Sequence, residues 1–354
     1  MKIHAKNIIV ALVIGLTFCT GVLFGQSKTG TTIGQFLLIE PSARAAGMAN
    51  VGVAMHEEVV SAFFNPAAIG MQEKFGIQFT NSQWIADIQY NYVAGLIHAG
   101  NLGNIYLSAT ALNSGEIKVR TVDQPLGTGE RYSVSNVALG LGYGTQLTDR
   151  FSVGFQLNYI QENIWHSSLS TFAINVGTIY HLTNNRMRIG ASISNFGLQA
   201  GYSGRDLRIR YDLDTEKYGD NSSLPGDVHT TDYALPILFR VGIYMPWQFG
   251  ENNQIEFALD AFHPNDNTES MSAGVEWAFM KMVFLRGGFQ HFIFDDGSNF
   301  PWVQLRKKDD SELGLTAGAG IKYDLGEVAL LIDYAWTDNG LLENTQRLTM
   351  GVSF

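Results

Sequence analysis

From Phe75 to the last residue, apolar and polar side chains alternate with a period of two. About fourteen such segments follow one another, each roughly 9–13 residues long, the length of a tilted membrane-spanning strand. Ile77 and Phe79 mark the first, and Tyr90, Tyr92, Ala94 and Leu96 the second. Val137, Leu139, Leu141 and Tyr143 mark the fourth, and the eighth alternates from Leu235 and Ile237 to Met245. The positions between them are small or polar, such as Gly140, Gly142 and Gly144, or Thr171, Ala173, Asn175 and Gly177. A soluble barrel fills its inside with large apolar groups. Here the large groups line the other face, which predicts an apolar outside and a small or polar inside. Connections after even-numbered segments are mostly short, and many after odd-numbered ones are long, including 113–131, 197–232 and 294–311. The pattern predicts an all-β transmembrane antiparallel barrel of about 14 strands, with both termini periplasmic and the long loops outside. A closed sheet is what lipid demands, because no water is there to satisfy an open edge.

Residues 34–71 do not alternate. They are rich in Ala and Met, carry a helix-like piece over 57–64, and stop at Asn65-Pro66. They read as a partly helical plug around which the barrel closes. Glu57 and Glu58 stand at the start of the expected helix, where negative charge suits its dipole, and Pro66 ends it. Arg44 is the plug's only arginine, so a lumenal acid such as Asp260, Glu276 or Asp333 is expected to anchor it.

The one long apolar run is N-terminal. Lys2 and Lys6 precede an apolar core over 8–16, and Gly25 gives a small residue at the cut. That is the layout of a secretory signal peptide. A membrane anchor needs about 20 apolar residues, and this run is borderline for one even if it continues to Phe24. The division expected is signal peptide 1–25, plug 26–73 and barrel 74–354. Cys19 falls inside the signal, and Phe18 before it is too large for a lipidation site. The mature chain then has no cysteine, so disulfides do not hold it together. The formal charge of −10 argues against nucleic acid as a partner.

The chain carries no nucleophile elbow, HExxH or phosphate loop, so neither an enzyme nor a cofactor is expected. Gly140-Leu-Gly-Tyr-Gly144 sits inside an alternating strand. Asp212, Asp214 and Glu216 begin like a calcium loop. However, Lys217 stands where the turn glycine belongs and Ser223 where the closing glutamate belongs, so a solvated loop is the better reading. The run Arg306 to Glu312 also reads as exposed loop, and Asp295-Asp296-Gly297 as a turn. The charges Arg240, Asp260, Glu276, Arg286 and Asp333 all fall opposite the apolar face of their strands. At membrane depth they must face the lumen. Salt bridges to one another or to the plug are one reading, and a substrate pathway is the other. Trp84, Tyr90, Tyr92, Trp165, Tyr244, Trp247, Trp277, Phe279, Trp302 and Trp336 lie near strand ends, as interfacial girdles do. Leu348, Met350, Val352 and the carboxyl-terminal Phe354 form an alternating last strand. It is similar to the signal that barrel-assembly machinery reads in bacterial outer-membrane proteins.

Several motifs carry a family resemblance. Ser42-Ala43-Arg44-Ala-Ala-Gly47-Met48 is followed by Val51-Gly-Val-Ala54 and by Phe64-Asn65-Pro66-Ala67. Trp84-Ile-Ala-Asp87, Leu147-Thr-Asp-Arg-Phe-Ser-Val-Gly154 and Ser194-Asn-Phe-Gly197 come later in the same order. The chain resembles the PorV/PorQ family of outer-membrane proteins, which belong with the FadL-like fourteen-stranded barrels. The resemblance implies an N-terminal hatch inside the barrel, with Asn65, Pro66 and Ala67 as the corner into the first strand. It implies a non-enzymatic role in type IX secretion. The partners would be exported cargo domains, translocon or attachment-complex proteins, and outer-membrane lipid. The alternative it implies is a FadL-like transporter of hydrophobic compounds.

Overall fold

The computed structural model describes residues 29–182, 186–212, 214, 216, 223–292, 314–342 and 344–354. The signal segment with Cys19, Lys217, Asp295, Asp296, Trp302 and the charged run 306–312 lie outside the described residues.

Alternation becomes a wall of fourteen strands. These are β1 (Gly76–Gln83), β2 (Gln89–His98), β3 (Asn104–Asn113), β4 (Val134–Thr148), β5 (Phe151–Ile164), β6 (Ser167–His181) and β7 (Arg188–Gly197). They continue with β8 (Leu238–Phe249), β9 (Asn253–Pro264), β10 (Ser270–Phe279), β11 (Val283–Phe292), β12 (Leu315–Asp324), β13 (Ala329–Asp338) and β14 (Asn344–Ser353). Each pairs antiparallel with its sequence neighbours. The sheet closes on itself where β1 meets β14, in register from Gly76 opposite Ser353 to Gln83 opposite Gln346. Phe354 continues the seam. Its N–H donates to the Phe75 carbonyl at 3.0 Å, and the two rings stack. No sheet edge is left facing lipid.

The connections differ between the two ends. Those after even-numbered strands span 99–103, 149–150, 182–187, 250–252, 280–282 and 325–328. At the other end, 114–133, 198–237 and 293–314 are long, but β5 turns into β6 through Trp165 and His166 alone. The first two long connections carry small hairpins, 117–118 with 131–132 and 208–211 with 224–227. Asp212 and Asp214 sit on the latter. Among the described residues, no group of three or more His, Cys, Asp or Glu could hold a metal ion.

Most outward faces are as the alternation predicts: Ile77, Leu139, Leu141, Phe155, Phe172, Ile332 and Met350 are all exposed on the barrel surface. Strand β2 is reversed. Tyr90, Tyr92, Ala94 and Leu96 are buried in the lumen, while Val93 and Ile97 face out. Tyr90, Tyr92 and Tyr244 are therefore lumenal and not part of a girdle, whereas Trp165, Trp247, Trp277 and Phe279 are exposed. Leu235 is not in the eighth strand, which starts at Leu238; it is buried in a cluster with Ile33, Phe36 and Leu37.

Residues 31–71 fill the lumen and are almost entirely buried. They form two short helices, α1 (Ala43–Gly47) and α2 (Ser61–Phe64), among 3-10 turns. The helix expected over 57–64 is only its last turn. Its N-cap is Val60, so Glu57 and Glu58 lie outside it. Pro66 does not simply end α2. It is the first residue of the next 3-10 helix (Pro66–Met71), with Asn65 as the cap that accepts from the Ala67 N–H at 3.0 Å.

Candidate functional site: the barrel lumen and its inner segment

A non-helical chain buried at membrane depth must find partners for its N–H and C=O groups, or each costs several kcal/mol. The inward-facing polar residues of the wall supply them. Thr349 Oγ1 accepts from the Ala43 N–H, and Thr316 Oγ1 donates to the Gly47 carbonyl. Asp260 accepts from the N–H groups of Gly52 and Val53, at 2.7 and 3.0 Å. Ser192 and Ser152 donate to the carbonyls of Phe64 and Ala67. Asn104 bridges the carbonyls of Ile69 and Gln72, both at 2.6 Å. Asn65 does the same from the inside: its Nδ2 donates to Val53 O and, across to β6, to Thr178 O.

The small inward positions have a second use. A Cβ on Gly154 would stand 2.1 Å from the Pro66 carbonyl, and one on Gly177 1.9 Å from Asn65 Oδ1. At Gly190 it would meet Val53 O at 2.1 Å, and at Gly274 Met48 O at 2.2 Å. The inner segment lies directly on the backbone of the wall, and only glycine allows that approach. The same closeness explains β2. Its lumenal tyrosines and Leu96 face apolar residues of the inner segment rather than water, in a cluster with Val60, Ala62 and Ile69.

Buried charges tie segment and wall together. Arg44 donates from Nε and Nη2 to Glu276, at 3.0 and 2.9 Å, and from Nη2 to Glu256 at 2.6 Å. A fourth bond, at 3.2 Å, reaches Glu57. Burial opposes the charge on Arg44, but Glu276, Glu256 and Glu57 outweigh it and hold the guanidinium protonated above its ordinary range. Glu276 and Asp333 both pair with Arg286, and Glu57 pairs with Arg188, whose guanidinium lies 3.8 Å over the Tyr244 ring. Glu58 takes a bond from Ser42 at 3.0 Å. Burial, reinforced by Asp333, pushes its carboxyl up to about 7.

Of the five charges singled out from the sequence, Glu276, Arg286 and Asp333 join this network. Asp260 holds the turn at Gly52, and Arg240 stands apart with one bond to Ser194 at 3.3 Å. Of the motif residues, Arg44, Gly47, Met48, Asn65, Pro66 and Ala67 all touch the wall in the ways above, and Ala43 packs on Ala335 of β13. Leu348, Met350, Val352 and Phe354 line the outer face of the seam. Glu256, Arg188 and Arg347 are buried in the same lumen and were not singled out. Their strand parity is the signal: each alternates with an outward residue, Phe257, Ile189 or Leu348.

Two cavities flank the inner segment. One, of about 390 Å³, opens at the opposite end from the short turns, beside the connections 84–88, 265–269 and 339–343, and is lined by Glu40, Trp84, Asp266 and Arg347. The other, of about 730 Å³, opens at the short-turn end and is lined by Arg44, Glu57, Glu58, Arg188 and Glu256.

A sequence model of the family described as "Type IX secretion system protein PorV" matches residues 24–207. That span contains the inner segment and the first seven strands. No curated protein sequence matches. Among solved structures, the Pseudomonas putida toluene transporter TodX is similar, with TM-score 0.52 at 12% identity over 89% of this chain and 98% of its own. A Pseudomonas aeruginosa FadL homologue has TM-score 0.51 at 10% identity, over 89% and 98%. The monoaromatic hydrocarbon channel CymD has 0.51 at 13%, over 89% and 97%. At such identities the likeness is one of fold: an outer-membrane barrel of the FadL-like type.

Proposed function

We propose, from the premise that this chain belongs to the PorV family of type IX secretion proteins, that it works in that pathway as a docking barrel. The family match over 24–207 carries the reading. In this role the long connections face outward and bind exported cargo domains or translocon and attachment proteins, while both termini face the periplasm. Residues 26–73 act as a hatch, with Arg44 as its anchor to the wall, and residues 74–354 as the barrel. The lumen supports a binding role over a pore: its glycines and polar side chains are engaged with the hatch backbone. Binding through loops needs no catalytic group, and the proposal is of a non-enzymatic component. The C-terminal residues Leu348, Met350, Val352 and Phe354 serve recognition by the assembly machinery.

The test is to isolate the full-length protein in mild detergent from its own outer membrane, with and without its long connections shortened. Secreted cargo or translocon subunits that co-purify only with the intact loops are expected. A tightly bound lipid or hydrophobic compound, with no protein partner, would replace this reading with a FadL-like transporter.

A further inference from the structure

The cavity at the short-turn end differs in charge from the molecule as a whole. The chain holds 23 Lys and Arg against 33 Asp and Glu. The wall of this cavity holds seven Lys and Arg against five Glu, an excess of 7 − 5 = +2 with histidines neutral. Most of the interior pairs are closed among themselves, as Arg44 and Arg286 are with Glu276 and Glu256. One corner is not. Arg188 is 3% exposed, its Nη2 is held by Glu57, and its Nη1 is buried with no hydrogen-bond partner. His181 Nε2, from the end of β6, is likewise buried and unpartnered. The His56 ring stands 5.8 Å from that of His181, and Arg186 and Lys281 are exposed on the turns at the rim.

A buried guanidinium edge without a partner has lost its water and gained nothing in return, a penalty that a matching acceptor would remove. The acceptor must carry negative charge to use the local excess. One negative charge is enough to engage the free edge of Arg188, and the carboxylates of Glu57, Glu58 and Glu256 in the same wall disfavour a bulkier polyanion there. We infer that this cavity is a binding site for a single carboxylate, held by Arg188 and His181 and drawn in by Arg186 and Lys281. The carboxylate comes either from a free small acid or from the carboxyl terminus of a peptide chain. The site faces the periplasm in the orientation proposed above. The binding chemistry does not depend on the secretion role, so either can fail alone.

The experiment uses the full-length protein in detergent and isothermal titration with three probes: a pentapeptide with a free terminal carboxylate, its C-terminal amide, and acetate. The free acid is expected to bind and the amide to bind about 10- to 100-fold more weakly, the worth of one charge-assisted bond. Arg188→Gln should abolish the difference. Because Arg188 also holds Glu57, a second variant, Arg186→Gln with Lys281→Gln, alters only the rim. It should weaken the free acid severalfold and flatten its salt dependence. Arg347→Gln, in the opposite cavity, should change nothing. Acetate binding as tightly as the peptide would assign the site to small acids, and acetate silent beside a binding peptide would assign it to chain termini. Equal binding of acid and amide, no binding of any probe, or indifference to both sets of substitutions would overturn the inference.

Discussion

Replacing Arg44 by methionine removes one guanidinium and keeps most of its stem. Four hydrogen bonds to three carboxylates are lost. Glu57 keeps Arg188, and Glu276 keeps Arg286, which it shares with Asp333, so neither is left without a cation. Glu256 loses its cation and keeps two neutral donors, Gln254 Nε2 at 2.7 Å and the Tyr244 hydroxyl. Breaking a buried pair costs about 3–5 kcal/mol, chiefly from the charge left behind. With one of three carboxylates orphaned, the low end applies, about 3 kcal/mol, or roughly a 100-fold rise in the opening equilibrium of the hatch. Hydrogen exchange reads this directly. The amides of Ala46, Met48 and Asn50, bonded within the hatch to Ser42 and Ala45, should exchange about 100-fold faster. Amides in β13 and β14 should hold their rates, because the wall closes without the hatch. Adding Glu256→Gln should recover part of the loss by removing the orphaned charge. Unchanged exchange in the Arg44→Met variant, or no recovery from Glu256→Gln, would refute the anchor and leave the hatch held by its backbone bonds alone.

Gly177→Val places a Cβ 1.9 Å from Asn65 Oδ1 and should displace the hatch corner at a cost of about 1–3 kcal/mol; limited proteolysis should then cut near residue 65 while the barrel stays heat-modifiable on a gel. Burial first, and then Asp333, raise the Glu58 carboxyl to about 7, so its contribution to hatch stability is fully present below about 4.5 and is lost as pH rises through 7. Glu58→Gln should abolish that part of the pH dependence, measured as hatch amide exchange between pH 5 and 8. Phe354→Ala removes the ring stacked on Phe75, and its in vitro insertion into vesicles should slow, with about 1 kcal/mol lost from the folded barrel.

How much of this is legible in the chain depends on whether a feature is local. The wall is. Lipid on one side and a closed hydrogen-bonded sheet force a period of two, so β4 to β14 can be read from Leu139, Phe155, Phe172, Ile332 and Met350 without any structure. The same parity places Arg240, Asp260, Glu276, Arg286 and Asp333 inward, and would have placed Glu256, Arg188 and Arg347 beside them. The break in pattern over residues 34–71 marks a segment that is not wall.

Parity says which residues share a face, but not which face is inside. In most strands lipid decides, because the lumenal face is polar. In β2 both faces are apolar enough for either side, and Tyr90, Tyr92 and Leu96 turn inward because the hatch, not water, fills that part of the lumen. The partner of Arg44 is equally non-local. Three acids had the right parity, and a fourth, Glu256, shares it; which of them meet the guanidinium depends on where residues 42–48 land along the barrel axis. The glycines at 154, 177, 190 and 274 look like small lumenal residues in the chain. That they are seats for the hatch backbone is settled only when the segment and the wall are brought within van der Waals contact, since that contact joins residues about a hundred or more positions apart.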